Sequence, residues 1–165
     1  MSARAIIDSL DFARSGKELS DEVPVSELER LADSLYDRSG ILRYVLVGQT
    51  DGRQRLRLRL KVEGTISLRC QRCLGRLPYP VALESRLLLL DDKAGGEEAE
   101  IEDLDAVAAD PEMDVWSLVE DEVLLAQPIA PRHSEGECET AVDTAKDRAA
   151  SPFAALAGLK HKQVN

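Results

Sequence analysis

Between Arg53 and Val62 the chain alternates cations with mostly aliphatic residues, Arg53-Gln54-Arg55-Leu56-Arg57-Leu58-Arg59-Leu60-Lys61-Val62, and no helix sorts that pattern onto two faces. An extended chain does. Successive side chains then point to opposite sides, so Leu56, Leu58, Leu60 and Val62 bury while Arg53, Arg55, Arg57, Arg59 and Lys61 face out. The stretch Ile41 to Gly48 upstream is short and rich in Val, Leu and Tyr, and Asp51-Gly52 supplies a turn, so the two runs read as a hairpin. Gly64 marks a bulge or a close backbone approach, after which Thr65 to Leu68 resumes alternation. A further strand is expected between Pro80 and Leu90, placing Cys70-Gln71-Arg72-Cys73 at one end of a sheet, near the junction of two strands.

Helices are expected around this sheet. Ser26-Glu27-Leu28-Glu29 has the form of a capping box, with Leu28, Leu31, Ala32 and Leu35 on one helical face and Gly40 as the stop. Asp114 suits the N-cap of a helix from Val115 to about Ala126 that buries Trp116, Val119 and Val123, and Pro128 and Pro131 end it. Trp116 reads as a core anchor of that helix. Residues 91–112 are dominated by Asp, Glu, Ala and Gly and read as an exposed acidic loop, and 134–150 as a flexible linker of roughly 20 to 25 Å. Ser151-Pro152 then opens a short helix over 152–160. A helix this short does not hold itself together in water, so Pro152, Phe153, Leu156 and Leu159 are expected to dock on a partner or back on the domain. The fold class read from these elements is α+β: an antiparallel β-sheet core with a few flanking helices. A single domain spans 1–132, followed by a mostly flexible tail, 133–165.

Composition narrows the function classes. The net charge of -10 divides unevenly: residues 43–86 hold ten Lys/Arg against three Asp/Glu, and residues 91–122 hold fourteen acids against Lys93 alone. Such a chain can present one face to a polyanion and another to a basic partner, or neutralise itself within the fold. Only 4% of residues are aromatic, which leaves few rings for stacking on exposed bases and disfavours base-stacking recognition. No apolar run approaches a membrane span, and Asp8 interrupts the N-terminus before a signal-type stretch develops, so a cytoplasmic protein is expected. There is no Gly-rich phosphate loop, no G-x-S-x-G and no H-E-x-x-H, so no catalytic residues are assigned and no small-molecule substrate is expected. The Arg-rich face has two readings: contact with nucleic-acid phosphates, or a solvated strand face balanced by acids on its neighbours.

The cysteines also leave alternatives open. Cys70, Cys73 and Cys138 are an odd number in a chain read as cytosolic, which argues against a structural disulfide. One reading makes Cys70 and Cys73 partly buried thiols with no cofactor. Another takes His133 and Cys138, five residues apart, as the second half of a Cys3His set for structural zinc, with His161 as a substitute for His133. A redox pair would open a helix, and Pro78 and Pro80 follow too soon for one.

At Cys70-Gln71-Arg72-Cys73-Leu74 the chain resembles the YceD family, the large-ribosomal-RNA-subunit accumulation proteins of bacteria and plastids. The helix Asp114 to Leu125 leading to Pro128, the Pro131-Arg132-His133 and Cys138 after it, and Ser151-Pro152-Phe153-Ala154-Ala155-Leu156-Ala157-Gly158-Leu159-Lys160 extend the resemblance over most of the chain. The resemblance implies a non-enzymatic ribosome biogenesis factor supporting synthesis, processing or stability of large-subunit ribosomal RNA. On that footing Arg53, Arg55, Arg57, Arg59, Lys61, Arg69, Arg72 and Arg76 are the candidate contacts to ribosomal RNA or its precursor. The alternative partner is a basic large-subunit ribosomal protein, held as by an adaptor or chaperone through the acidic loop.

Overall fold

The computed structural model describes residues 4–91 and 105–138. Its centre is a five-stranded sheet in the order β2 (Glu18–Pro24), β3 (Ile41–Thr50), β4 (Leu56–Arg69), β5 (Arg76–Leu90), β6 (Asp105–Ala108). Neighbours pair antiparallel except β5 and β6, which run parallel, so the fold is α+β with a mixed sheet. A two-stranded ribbon joins β1 (Ile6–Ile7) to β7 (Met113–Asp114), and the helices are α1 (Ser9–Arg14) and α2 (Val115–Ala126). Among the described residues no helix is long and apolar enough to cross a membrane.

Period-two alternation sets the register. Leu58, Leu60 and Val62 of β4 are fully buried beside Leu42, Tyr44 and Leu46 of β3, and this inner face packs with Phe12 and Ala13 of α1 and Val115, Trp116, Val119 and Val123 of α2. The hairpin expected over Ile41 to Val62 forms, and β4 runs on without interruption to Arg69. Gly64 is a close approach: a Cβ there would lie 2.8 Å from the Ile41 carbonyl oxygen. β5 starts at Arg76, which pairs with the last residue of β4, Arg69, so the chain reverses within Cys70 to Gly75. Pro78 and Pro80 lie in the half of β5 that β6 does not reach, where a missing amide leaves no ladder bond unmade.

Two expectations are corrected. The capping box at Ser26 does not open an α-helix; the segment forms two 3-10 turns, Val25–Glu27 and Glu29–Leu31, with no side-chain cap. The cause is a partner that local sequence cannot show. Glu120, buried on α2, accepts from the amides of Arg30 (2.6 Å) and Leu31 (3.3 Å) and from Arg30 Nε (2.9 Å), satisfying from outside the donors that a helical turn would have used. Leu28, Leu31 and Leu35 still bury, as their hydrophobicity requires. The second correction concerns the acidic stretch, because Asp105–Ala108 adds to the sheet beside Leu87–Leu90 as β6. The helix with Asp114 as N-cap forms as expected, the carboxylate accepting from the Trp116 amide at 3.0 Å. The terminal helix expected over 152–160 lies outside the described residues.

α1 sits on the sheet at Gly48, where a Cβ would stand 2.3 Å from the Phe12 carbonyl oxygen, with backbone on both sides of the contact. Gly48→Ala should therefore cost about 1–3 kcal/mol of stability, read from urea unfolding, since neither element can yield cheaply. At the β3–β4 turn Asp51 accepts from the Arg53 and Arg55 amides and pairs with the Arg55 and Arg57 guanidinium groups. Burial pushes its carboxyl up, but these donors prevail and bring it down to about 2. A carboxyl depressed in this way stabilises the fold fully above its ordinary value of 3.8 and loses that contribution as pH falls toward about 2. Asp51→Asn should melt below wild type at pH 5, and the gap should narrow toward pH 2; a gap independent of pH would refute the assignment.

Candidate metal centre

The turn that joins β4 to β5, Cys70 to Gly75, is built around sulfur. Cys70 donates its amide to the Gly75 carbonyl (3.0 Å), and Leu74 donates back to Cys70 (2.9 Å), closing the turn with Leu74 at φ 60°. A leucine in the left-handed region is uncommon, and here its side chain stands 63% exposed at the tip. Inside the turn the amides aim at the thiols: the Arg72 amide lies 3.5 Å from Cys70 Sγ. Burial raises the Cys70 thiol, yet the backbone amides of Cys73, Arg72 and His133 outweigh it and hold the group at about 5.

The chain returns to this turn after α2. Gln71 donates its amide to the Pro131 carbonyl at 2.8 Å, which lays residues 131–138 along the knuckle. The four residues proposed from spacing come together, Cys70, Cys73, His133 and Cys138 offering ligand atoms that all lie within 4.8 Å of one another. Cys70 Sγ is 3.8 Å from Cys138 Sγ, and His133 Nδ1 is 3.4 Å from Cys73 Sγ and 3.6 Å from Cys138 Sγ. A tetrahedron drawn with zinc–sulfur and zinc–nitrogen bonds of about 2.3 and 2.0 Å has edges of about 3.8 Å between sulfurs and about 3.5 Å between sulfur and nitrogen. The donor set fits that ion. His133 Nε2 lies 2.9 Å from the Arg76 carbonyl; donating there fixes the tautomer that leaves Nδ1 free to ligate. No disulfide joins the three cysteines, and β5 follows the pair where a redox motif would open a helix.

Arg72 serves this centre. Its Nε donates to Cys138 Sγ at 3.0 Å and its Nη2 reaches the carbonyls of Ser134 (3.1 Å) and His133 (3.4 Å). Although burial opposes it, the Arg72 guanidinium, followed by His133, pulls the Cys138 thiol down, so that a positive charge from the protein balances a thiolate-rich site.

The other cations proposed from the sequence are spread along the outer face and its rim. Arg53 lies in the β3–β4 turn, Arg55 and Arg57 pair with Asp51, and Arg59 and Lys61 share Glu84 on β5 at 2.7 and 3.3 Å. Arg76 pairs with Asp37 at 3.2 Å. The Arg69 side chain donates from Nη2 to the Leu35 carbonyl at 3.5 Å. Three residues that sequence reasoning passed over stand near these: Arg86, directly opposite Arg59; Tyr36, bonded to the edge of β4; and exposed Arg38. Register alone reveals the first, and only tertiary pairing reveals the others. Pro152, Phe153, Leu156 and Leu159 lie outside the described residues.

No solved structure matches the chain. A curated protein of Haemophilus influenzae, the large ribosomal RNA subunit accumulation protein YceD, is 30% identical over 94% of this chain and 95% of its own length. The family model described as large ribosomal RNA subunit accumulation protein YceD matches residues 58–160, from near the start of β4 through the Cys70–Gly75 turn and beyond. The chain therefore belongs to the YceD family.

Proposed function

We propose that this protein is a cytoplasmic, non-enzymatic factor that supports the accumulation of large-subunit ribosomal RNA by contacting RNA phosphates, and that Cys70, Cys73, His133 and Cys138 hold a structural zinc ion. The observation that carries the first part is the near full-length relationship to a protein named for that accumulation. The geometry supports the second, since four donors of the right softness stand at ligand-to-ligand distances. Zinc, when bound, supplies a cross-link between the β4–β5 turn and residues 131–138 that needs no oxidant. RNA contact is supported by the cationic outer face and favours backbone over base readout, because most of these guanidinium groups are already oriented by a neighbouring acid.

Two experiments test this reading. Purified full-length protein should carry one zinc per chain by elemental analysis. Cys73→Ser should lose the metal and lower Tm by on the order of 10 °C, the shift that a few kcal/mol produces in a domain of this size. A metal-free wild type that melts with the variant would overturn the zinc assignment; a variant that keeps its stability and loses only function would favour a thiol enzyme.

In cells lacking the protein, the ratio of large- to small-subunit ribosomal RNA should fall and be restored by wild type. Crosslinking in those cells, with RNA sequencing and protein identification from one sample, should recover ribosomal RNA or its precursor. Recovery of a basic ribosomal protein without RNA would replace RNA contact by the adaptor reading, in which residues 91–112 hold the client.

A further inference from the structure

The β4–β5 hairpin sets arginine directly opposite arginine twice on its outer face, Arg59 with Arg86 and Arg69 with Arg76. Like charges in that position repel, so each pair needs an anion. Near the first pair Glu84 provides one, accepting from Arg59 and Lys61. The second pair is less complete. Arg76 Nε donates to Ser67 Oγ (2.9 Å) and pairs with Asp37 (3.2 Å), while Arg69 forms no ion pair among the described residues.

An aromatic ring stands beside this second pair. Leu35 bridges Leu68 in antiparallel sense, Tyr36 donates its amide to the Ser67 carbonyl (2.7 Å), and Arg69 donates to the Ser34 carbonyl (3.0 Å), so residues 34–36 act as a short extra strand along β4. Alternation then puts Leu35 and Leu68 in the core and sets Tyr36 on the face that carries Ser67, Arg69 and Arg76. Tyr36 is 49% exposed there, a large ring that burial does not explain. The cluster is rigidly backed, because the Arg76 carbonyl faces His133 Nε2 of the metal centre and Asp37, next to Tyr36, holds the Arg76 side chain.

An exposed ring on a face that also carries two guanidinium groups matches one ligand chemistry well: a base stacked on the ring with its phosphates on the arginines. Duplex RNA offers no free base face, whereas a single-stranded loop or end does. Building on the RNA-contact reading above, we infer that Tyr36, Arg69 and Arg76 form a seat for one unstacked nucleotide of single-stranded RNA, at the metal end of the sheet. Arg72 is left out of the seat because its Nε and Nη2 already hold Cys138, His133 and Ser134.

Fluorescence anisotropy of zinc-loaded full-length protein with a labelled mixed-sequence ten-nucleotide RNA, at several salt concentrations between 50 and 200 mM, tests the seat. Tyr36→Ala should weaken binding about 5- to 100-fold, whereas Tyr36→Phe should bind as wild type, because the ring face is what stacks. Arg69→Gln should reduce the slope of log affinity against log salt by about 0.7, and Arg69→Gln with Arg76→Gln by about 1.4. Melting curves identify any variant whose fold has changed, and Arg69→Gln, whose side chain meets no carboxylate among the described residues, keeps the test open if the double variant unfolds. Wild-type binding by both Tyr36→Ala and Arg69→Gln would overturn the seat. If Arg59→Gln and Arg86→Gln alone weaken binding, RNA contact stands at another place on the face; if wild type binds no RNA, the RNA reading itself falls.

Discussion

The pairing of β4 with β5 is the constraint on which the rest of this molecule depends. It runs from Arg57 opposite Leu88 to Arg69 opposite Arg76 without a slip, and a slip of one residue would exchange the leucine face for the arginine face. Because the register is fixed by hydrophobic burial, the position of every cation on the outer face is fixed too. So is the place where the hairpin turns. With Arg69 and Arg76 as the last pair, the six residues between them must reverse the chain, and they do so in a turn whose amides converge on the thiols of Cys70 and Cys73. The metal centre is in this sense the end of the hairpin, closed by a segment that arrives from α2.

That geometry changes the meaning of the charge pattern. Ten cations in residues 43–86 suggest a polyanion-binding stripe when read along the chain, but folding brings Glu84, Asp51 and Glu22 against Arg59, Lys61, Arg55, Arg57 and Arg43. The most exposed of these pairs, Arg43 with Glu22, adds little stability by itself. The effect of the pairs together is on the electrostatic field, which they cancel locally, so the net attraction for phosphates is weaker along the middle of the sheet than its sequence implies. At the end of the hairpin Arg69 has no acid opposite it, and exposed Arg38 and Arg132 lie close by in the chain path.

The sheet, the α2 helix with its Asp114 cap and the four converging donors were legible in the sequence for one reason: each rests on a local period, a cap or a spacing. Leu58, Leu60 and Val62 had to share a face, and Cys70 and Cys73 had to share a turn. The 3-10 turns at Val25–Glu27 and Glu29–Leu31 were not legible, since the buried Glu120 carboxylate that organises them lies some ninety residues away. β6 was hidden by its composition, because Asp105–Ala108 has no alternation and gains its place by pairing with the apolar run Leu87–Leu90. Within the candidate site, the four donors that come together could be named from spacing as one of several readings, but the role of Arg72 could not. Sitting between two cysteines on a basic stretch, it reads as one more phosphate contact until the segment 133–138 is seen to lie under its guanidinium.

Arg72 and Arg76 link the cysteine turn to the outer face of the sheet. Arg72 turns inward and compensates the thiolates; Arg76, three residues past Cys73, turns its carbonyl to His133 and its side chain to Ser67 and Asp37 on the outer face. One residue therefore belongs to both the metal centre and the cationic corner, through different atoms. On the proposed zinc reading, loss of the ion would free His133 Nδ1 and with it the orientation of the ring that bonds the Arg76 backbone. On the zinc and RNA readings proposed above, the corner would then lose its support from below while every one of its own side chains remained, and the ion's role would be to hold the outer face in place from the opposite side.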